Sequence, residues 1–448
     1  MSMKESLDEL HCSVELLEGS TALCDVIDKH IQEQTLAQKS AFFVADLGVI
    51  VWQQVRWKTQ MEQFRPFYTV KCNSSPVVVE ILAALGTGFV CSNKHDLDLV
   101  KGFGVPSQDI ILGGMCKQLS HIKHAAKHNI PLMLCDNEAE LRKIARCHPK
   151  AKVLLLLTSE ICCEREETVI PFGSTLKDCR HLLKCANELN MHVTGVKFNI
   201  PSCCQDTQSF SRAVSDARCV FDMGEELGFE MNILDIGGGF DGSEAQLKKV
   251  NRTLKPMLDM YFPLSTGVSI IAEPGAYYVS AAFTLAVNII AKKAMRRDFI
   301  SQPHNALSAN DEPEFLYYVN EGVYGSFAKK LLYEDSIPVP SPHKEVAAEE
   351  PLFSSSLWGP LDDDLDQVLE RCLLPELTVG DWLLFSDAGA TFTNTDEHKP
   401  PVFYTITECD WNEIHNCGVT LDTRMKNFSL VPCCLQSSMS KTSISTPA

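Results

Sequence analysis

Eight times between residues 65 and 275, a short apolar run gives way to a stretch with helical spacing. This alternation limits the fold more than any other feature of the chain. The runs are RPFYTVKC (65–72), GFVCSN (88–93), DIILGG (109–114), PLMLCD (131–136), KVLLLLTS (152–159), VTGVKFNI (193–200), NILDIGGGF (232–240) and VSIIAEPG (268–275). Between them lie patterns such as SHIKHAAKH, EAELRKIARCH and CRHLLKCANELN. Runs that are apolar almost throughout suit a parallel sheet covered on both faces. Eight such units over roughly 210 residues predict a (β/α)8 barrel. An open doubly wound sheet is the competing arrangement, but it rarely shows eight evenly spaced units. The expected class is α/β, with a TIM-like barrel over residues 45–283.

Beyond about residue 280 the rhythm becomes strand to strand, in AAFTLAVNIIAKKAM, EFLYYVNEG, DWLLFSDAG, VFYTITEC and NFSLVPCC. A mostly β domain over 284–435 follows from it. The early run SAFFVADLG (40–48) could complete either domain; residues 1–44 are assigned to the β domain. Residues 301–314 and 338–351 are polar and read as surface loops, and 436–448 as a disordered tail. A chain of 448 residues is long enough for both domains.

Lys and Arg number 40 against 58 Asp and Glu, a net charge of 40 − 58 = −18. That balance argues against nucleic acid or anionic lipid as a general partner, so any basic patch has to be local. The 19 cysteines lack zinc-type spacing, and no metal site is expected. The opening MSMKESLDEL has no apolar signal core. A reduced, cytoplasmic protein is expected, with the nucleus as a second compartment.

Active sites of barrels gather at the C-terminal ends of the strands. Lys71 ends the first run, where a desolvated lysine can form an imine with an aldehyde cofactor, or simply reach the rim with its ammonium. Gly237, Gly238 and Gly239 end the seventh run. They allow close approach of backbone N–H groups to a phosphate, or serve only as a tight turn. Glu273 ends the eighth, placed to meet a protonated ring nitrogen or to be held by backbone donors. The aspartates of SSSLWGPLDDDLD (354–366) are a solvated turn, unless one faces a site across a domain or subunit boundary.

The segments PFYTVKCN, DARCVFDMGEELGF, LDIGGGF, SAAFTLAVNIIAKK, GVYGSF, SSSLWGP and LPELTVGDWLLF carry a resemblance to the eukaryotic ornithine decarboxylase family. It runs from about residue 13 to 435 and extends to the branch that lacks activity and binds antizyme. The resemblance implies a pyridoxal phosphate barrel. Lys71 then holds the Schiff-base position, Ser202 and Gly237–Gly239 the phosphate, Glu273 the pyridine nitrogen, and Asp363 reaches a partner subunit's site. Many positions depart from the pattern. The family's aspartate is Val90, its arginine Leu156, its ring-stacking histidine Asn199, and its phosphate-binding arginine and tyrosine Ala276 and Thr391. Its protonation-directing cysteine is Asp362. The substrate-binding aspartate has only Asp335 as a candidate.

Each lost charge-assisted hydrogen bond costs roughly 1.5–3 kcal/mol. Ala276 and Thr391 together therefore remove about 3–6 kcal/mol, or on the order of 10² to 10⁴ in cofactor affinity. Val90 and Leu156 lose both members of a charged pair, which strands no buried charge. No tightly bound cofactor is expected, and Lys71, Glu273 and Asp363 are vestigial. The resemblance implies a pseudoenzyme that binds antizyme, releases ornithine decarboxylase and raises polyamine synthesis and uptake. Family contact positions are Lys123, Glu140, Leu141 and Lys143, within a basic strip that adds Lys117, Lys127 and Arg142. A weak homodimer or monomer is expected. The alternative, suggested by the more apolar pocket, is a pyridoxal phosphate decarboxylase of an apolar amino acid such as leucine.

Overall fold

The computed structural model describes residues 12–18, 22–34, 39–158, 172–199, 207–295, 314–331, 336–344, 349–391, 400–416 and 428–433. All eight expected runs form parallel strands: Arg65–Thr69, Gly88–Cys91, Ile110–Leu112, Leu132–Cys135, Lys152–Leu157, His192–Phe198, Ile233–Asp235 and Ser269–Ala272. They close into a barrel, the eighth strand pairing with the first through Ile271 and Arg65. Side chains two apart on a strand share a face. Phe67, Val90, Ile111, Leu132, Leu134, Leu154, Leu156 and Ile271 accordingly fill the barrel interior as one cluster. The opposite parity, with Tyr68, Phe89, Met133, Val153 and Leu155, packs outward into the larger core.

Several of the surrounding helices start where the sequence places hydrogen-bonding caps. Asn93 accepts from the Asp96 N–H and Asn137 from the Glu140 N–H, each at 2.9 Å. Thr175 and Asp178 cap each other reciprocally at the start of Leu176–Glu188. Such caps satisfy N–H groups that have no partner within the helix.

The β domain is built on a mixed sheet. In spatial order its main path runs Gln367–Pro375, Leu352–Trp358, Phe315–Val319, Phe283–Ala294, Phe42–Asp46, Val402–Thr407, Cys12–Leu17 and Phe428–Pro432. Trp382–Phe385 pairs with Phe283–Ala294 and with the short strand Ser341–Pro342. The strand Phe42–Asp46 therefore belongs to this sheet, antiparallel to Phe283–Ala294 and parallel to Val402–Thr407. It passes directly into the helix Leu47–Gln60, whose first turn is capped by Asp46. Among the described residues four strands escape the sequence reading: Cys12–Leu17, Ser341–Pro342, Leu352–Trp358 and Gln367–Pro375. The run VFYTITEC stops being a strand at Thr407, and Glu408–Asn416 is a helix. The loop expected at 338–351 contains the strand Ser341–Pro342, while residues 301–313 and 436–448 lie outside the described residues.

Candidate functional site

Lys71 sits in the single 3₁₀ turn Val70–Cys72 that follows the first barrel strand. Its side chain is exposed and makes no hydrogen bond or ion pair among the described residues. It is a rim lysine, free of the desolvation that the end of a buried strand would impose.

The glycine run forms a turn after the seventh strand. Gly237 and Gly239 have φ of 72° and 94°, in the left-handed region that favours glycine. A Cβ on Gly237 would lie 2.2 Å from Asn199 Oδ1 and 2.4 Å from the Phe198 carbonyl oxygen. The turn is tied down on both sides. The Gly237 N–H donates to Asp235 Oδ1 at 2.8 Å, and its carbonyl accepts from the Glu273 N–H at 2.7 Å. Gly238 lies over the Glu273 backbone.

Beneath this turn lies a feature absent from the sequence reading. Lys197, on the sixth strand, points into the barrel and forms an ion pair with Glu273 Oε2. Lys197 is 5% exposed and Glu273 8%. Asp235 is fully buried beside them and is the register partner of Lys197. Burial opposes the charge of Lys197, but Glu273 and Asp235 outweigh it and hold its pKa above the ordinary lysine value. Burial, reinforced by Glu273, pushes the Asp235 carboxyl well above the ordinary range despite Lys197. The signal was present in the sequence: Lys197, Asp235 and Glu273 share one parity on consecutive strands.

The remaining positions divide clearly. Val90 and Leu156 are buried in the inner cluster, as their apolar character requires. Ala276 opens the short helix after the eighth strand, where its methyl offers no donor. Thr391 ends the 3₁₀ turn Ala388–Thr391. Asp362 and Asp363 are exposed. Asp363 accepts from the Tyr324 hydroxyl at 2.5 Å and from the Leu365 N–H at 2.9 Å; the Tyr324 bond holds its pKa below the usual carboxylate value. Ser202 and Asp335 lie outside the described residues.

On the outer face, the helices Leu119–Lys127 and Glu138–Cys147 lie side by side. The structure corrects the expected contact set. Leu141 is fully buried and Glu140 is 4% exposed, so neither presents a side chain to a partner. Lys117 is also buried and is no part of a surface strip. Its ammonium is held by the carbonyls of Gly114, at 2.8 Å, and Leu134, and by Glu140 at 3.5 Å. Burial lowers its pKa, and Glu140 is the largest opposing influence. The other Glu140 oxygen pairs with Lys143 at 2.6 Å. Lys123 and Lys127 are exposed, while Arg142 is exposed but paired with Glu138 at 2.7 Å.

The pyridoxal-binding domain of pyridoxal-dependent decarboxylases matches residues 47–280. The chain belongs to the pyridoxal-dependent decarboxylase family. It is 53% identical to antizyme inhibitor 1 of Pongo abelii over 439 residues, covering 97% of this chain and 98% of that one. Identity to antizyme inhibitor 1 of Mus musculus is 52% over the whole of both chains. Ornithine decarboxylase of Mus musculus is 43% identical, covering 97% of this chain and 96% of the enzyme. Among solved structures, the arginine decarboxylase of Paramecium bursaria Chlorella virus bound to agmatine superposes with a TM-score of 0.74 at 25% identity. That match covers 85% of this chain and all of the viral enzyme. These comparisons agree with the barrel and β domain described above.

Proposed function

We propose that this chain is a non-catalytic member of the family that binds antizyme, frees ornithine decarboxylase from it, and so raises polyamine synthesis and uptake. The observation that carries this reading is the end-to-end similarity to antizyme inhibitor 1. The site supports it. The residues present do not fit pyridoxal phosphate: the carboxylate that would meet the ring nitrogen already holds Lys197. Ala276 supplies no side-chain donor, and Lys71 is solvated. The alternative decarboxylation of leucine is not favoured.

The docking surface centres on Lys123, with Lys127 and Lys143 beside it, on an otherwise acidic protein. Long-range attraction to an acidic partner face mainly raises the association rate. Lys123→Glu is a clean test, because Lys123 pairs with no described residue. Lys143 is better replaced by glutamine, since a glutamate there would face Glu140. We expect Lys123→Glu to weaken antizyme binding about tenfold and Lys123→Glu/Lys143→Gln about a hundredfold, with folding intact by circular dichroism. Binding would be read by surface plasmon resonance at two salt concentrations. Wild-type protein that fails to capture antizyme, or releases CO2 from ornithine or leucine, would overturn the proposal.

A further inference from the structure

Glu273 needs a cation against it, because a lone carboxylate in a barrel interior is strongly disfavoured. By the resemblance, the protonated ring nitrogen of the bound cofactor supplies it, and an arginine stands at position 156. Here position 156 is Leu, buried in an aliphatic cluster with Val90 and Ile271. Its register partner on the neighbouring strand is Lys197, whose own next partner is Asp235. The positive charge absent from the fifth strand is present on the sixth, one strand nearer Glu273. There its ammonium pairs with the Glu273 carboxylate, both groups being more than nine-tenths buried.

We propose that Lys197 is a built-in counter-ion, its ammonium taking the place at Glu273 that a bound pyridinium nitrogen would occupy, so that the barrel is electrostatically complete without a cofactor. The geometry has two consequences. A pyridinium ring can reach Glu273 only by displacing an ammonium ion that is itself more than nine-tenths buried. The folded state also depends on Lys197 in a way that a cofactor-dependent barrel would not. This goes beyond the antizyme reading, which would stand even if Lys197 proved unimportant.

The test uses the full-length protein, the variants Lys197→Met and Lys197→Met/Glu273→Gln, and pyridoxal 5′-phosphate as the probe. Thermal unfolding and the visible absorption of bound pyridoxal phosphate are the readouts. Wild type is expected to show no thermal shift with the probe. Lys197→Met should melt several degrees lower, regain part of that loss with the probe, and bind it at least about tenfold more tightly than wild type does. The double variant removes both charges and should recover stability without responding to the probe. If Lys197→Met does not fold, the double variant decides: recovery supports the proposal, and failure to recover overturns it. Lys197→Met as stable as wild type, or wild type binding the probe as tightly as Lys197→Met, would also overturn it. Antizyme capture by the double variant, expected to match wild type, separates this result from the fate of the proposed function.

Discussion

Replacing Glu140 with alanine is expected to cost about 3–5 kcal/mol of stability, because it leaves the Lys117 ammonium buried without its carboxylate. Lys117 keeps two carbonyl acceptors, on Gly114 and Leu134, but carbonyl dipoles do not neutralise a charge. The lost group also holds Lys143 and accepts the Lys117 backbone N–H at 3.1 Å. Against a total of about 5–15 kcal/mol for a typical domain, the loss should appear as a large fall in the urea midpoint. The double change Glu140→Leu/Lys117→Met removes both ions and should restore most of it. A Glu140→Ala midpoint within error of wild type would refute the assignment. The outcome matters for function, since any loss of antizyme binding in Glu140→Ala would then reflect unfolding. Folded Glu140→Ala, examined in the cold, should bind antizyme as wild type does.

Asp366→Ala is the second large effect expected. Asp366 is fully buried. Its Oδ1 accepts from the Val323 N–H at 2.7 Å and its Oδ2 from the Leu361 N–H at 3.0 Å. Two glycines make room for it: a Cβ on either Gly322 or Gly359 would approach its oxygens to 2.3 Å. The carboxylate thus pins the GVYGSF loop to the WGPLDDD turn, holding Tyr324 and Asp363 together above it. Alanine leaves the buried Val323 N–H unpaired, while the Leu361 N–H, on an exposed residue, can turn to water; a bond to a charged acceptor contributes roughly 1.5–3 kcal/mol, and a loss of about that size is expected. Denaturant unfolding should show a lower midpoint with an unchanged slope. An asparagine in its place keeps one acceptor and should recover part of the loss. A midpoint for Asp366→Ala equal to that of wild type would sink this account.

The barrel was legible because its strands are buried on both faces, so burial is written into each run as unbroken apolarity. Leu352–Trp358 was not, since its centre is Ser354, Ser355 and Ser356, all buried. Serine has little preference for strands, and two of the three hydroxyls find carbonyls, Ser355 Oγ on Phe353 and Ser356 Oγ on Leu369, each at 3.1 Å, while Ser354 Oγ has no partner among the described residues. Gln367–Pro375 carries Glu370 and Arg371 and reads as a charged surface. At the site, rim positions such as Lys71 were visible from strand ends. Lys197 was hidden because a lysine inside an apolar run looks like an outward-facing one until the register is known. Glu140 and Leu141 were carried over as contacts, yet helix periodicity alone turns them inward, alongside Ile144 and away from Arg142.

The strand Cys12–Leu17 lies between Val402–Thr407 and Phe428–Pro432, parallel to both. Among the described residues, the earliest strand is therefore bracketed by the two latest. Both of its edges depend on strands at least 385 residues further along the chain, whereas the barrel closes within residues 65–272. A chain stopped before Val402 would keep those edges bare and present a template for association with other nascent chains. The strands Val402–Thr407 and Phe428–Pro432 together cover both edges of Cys12–Leu17, and without them a closed barrel would carry an open sheet beside it.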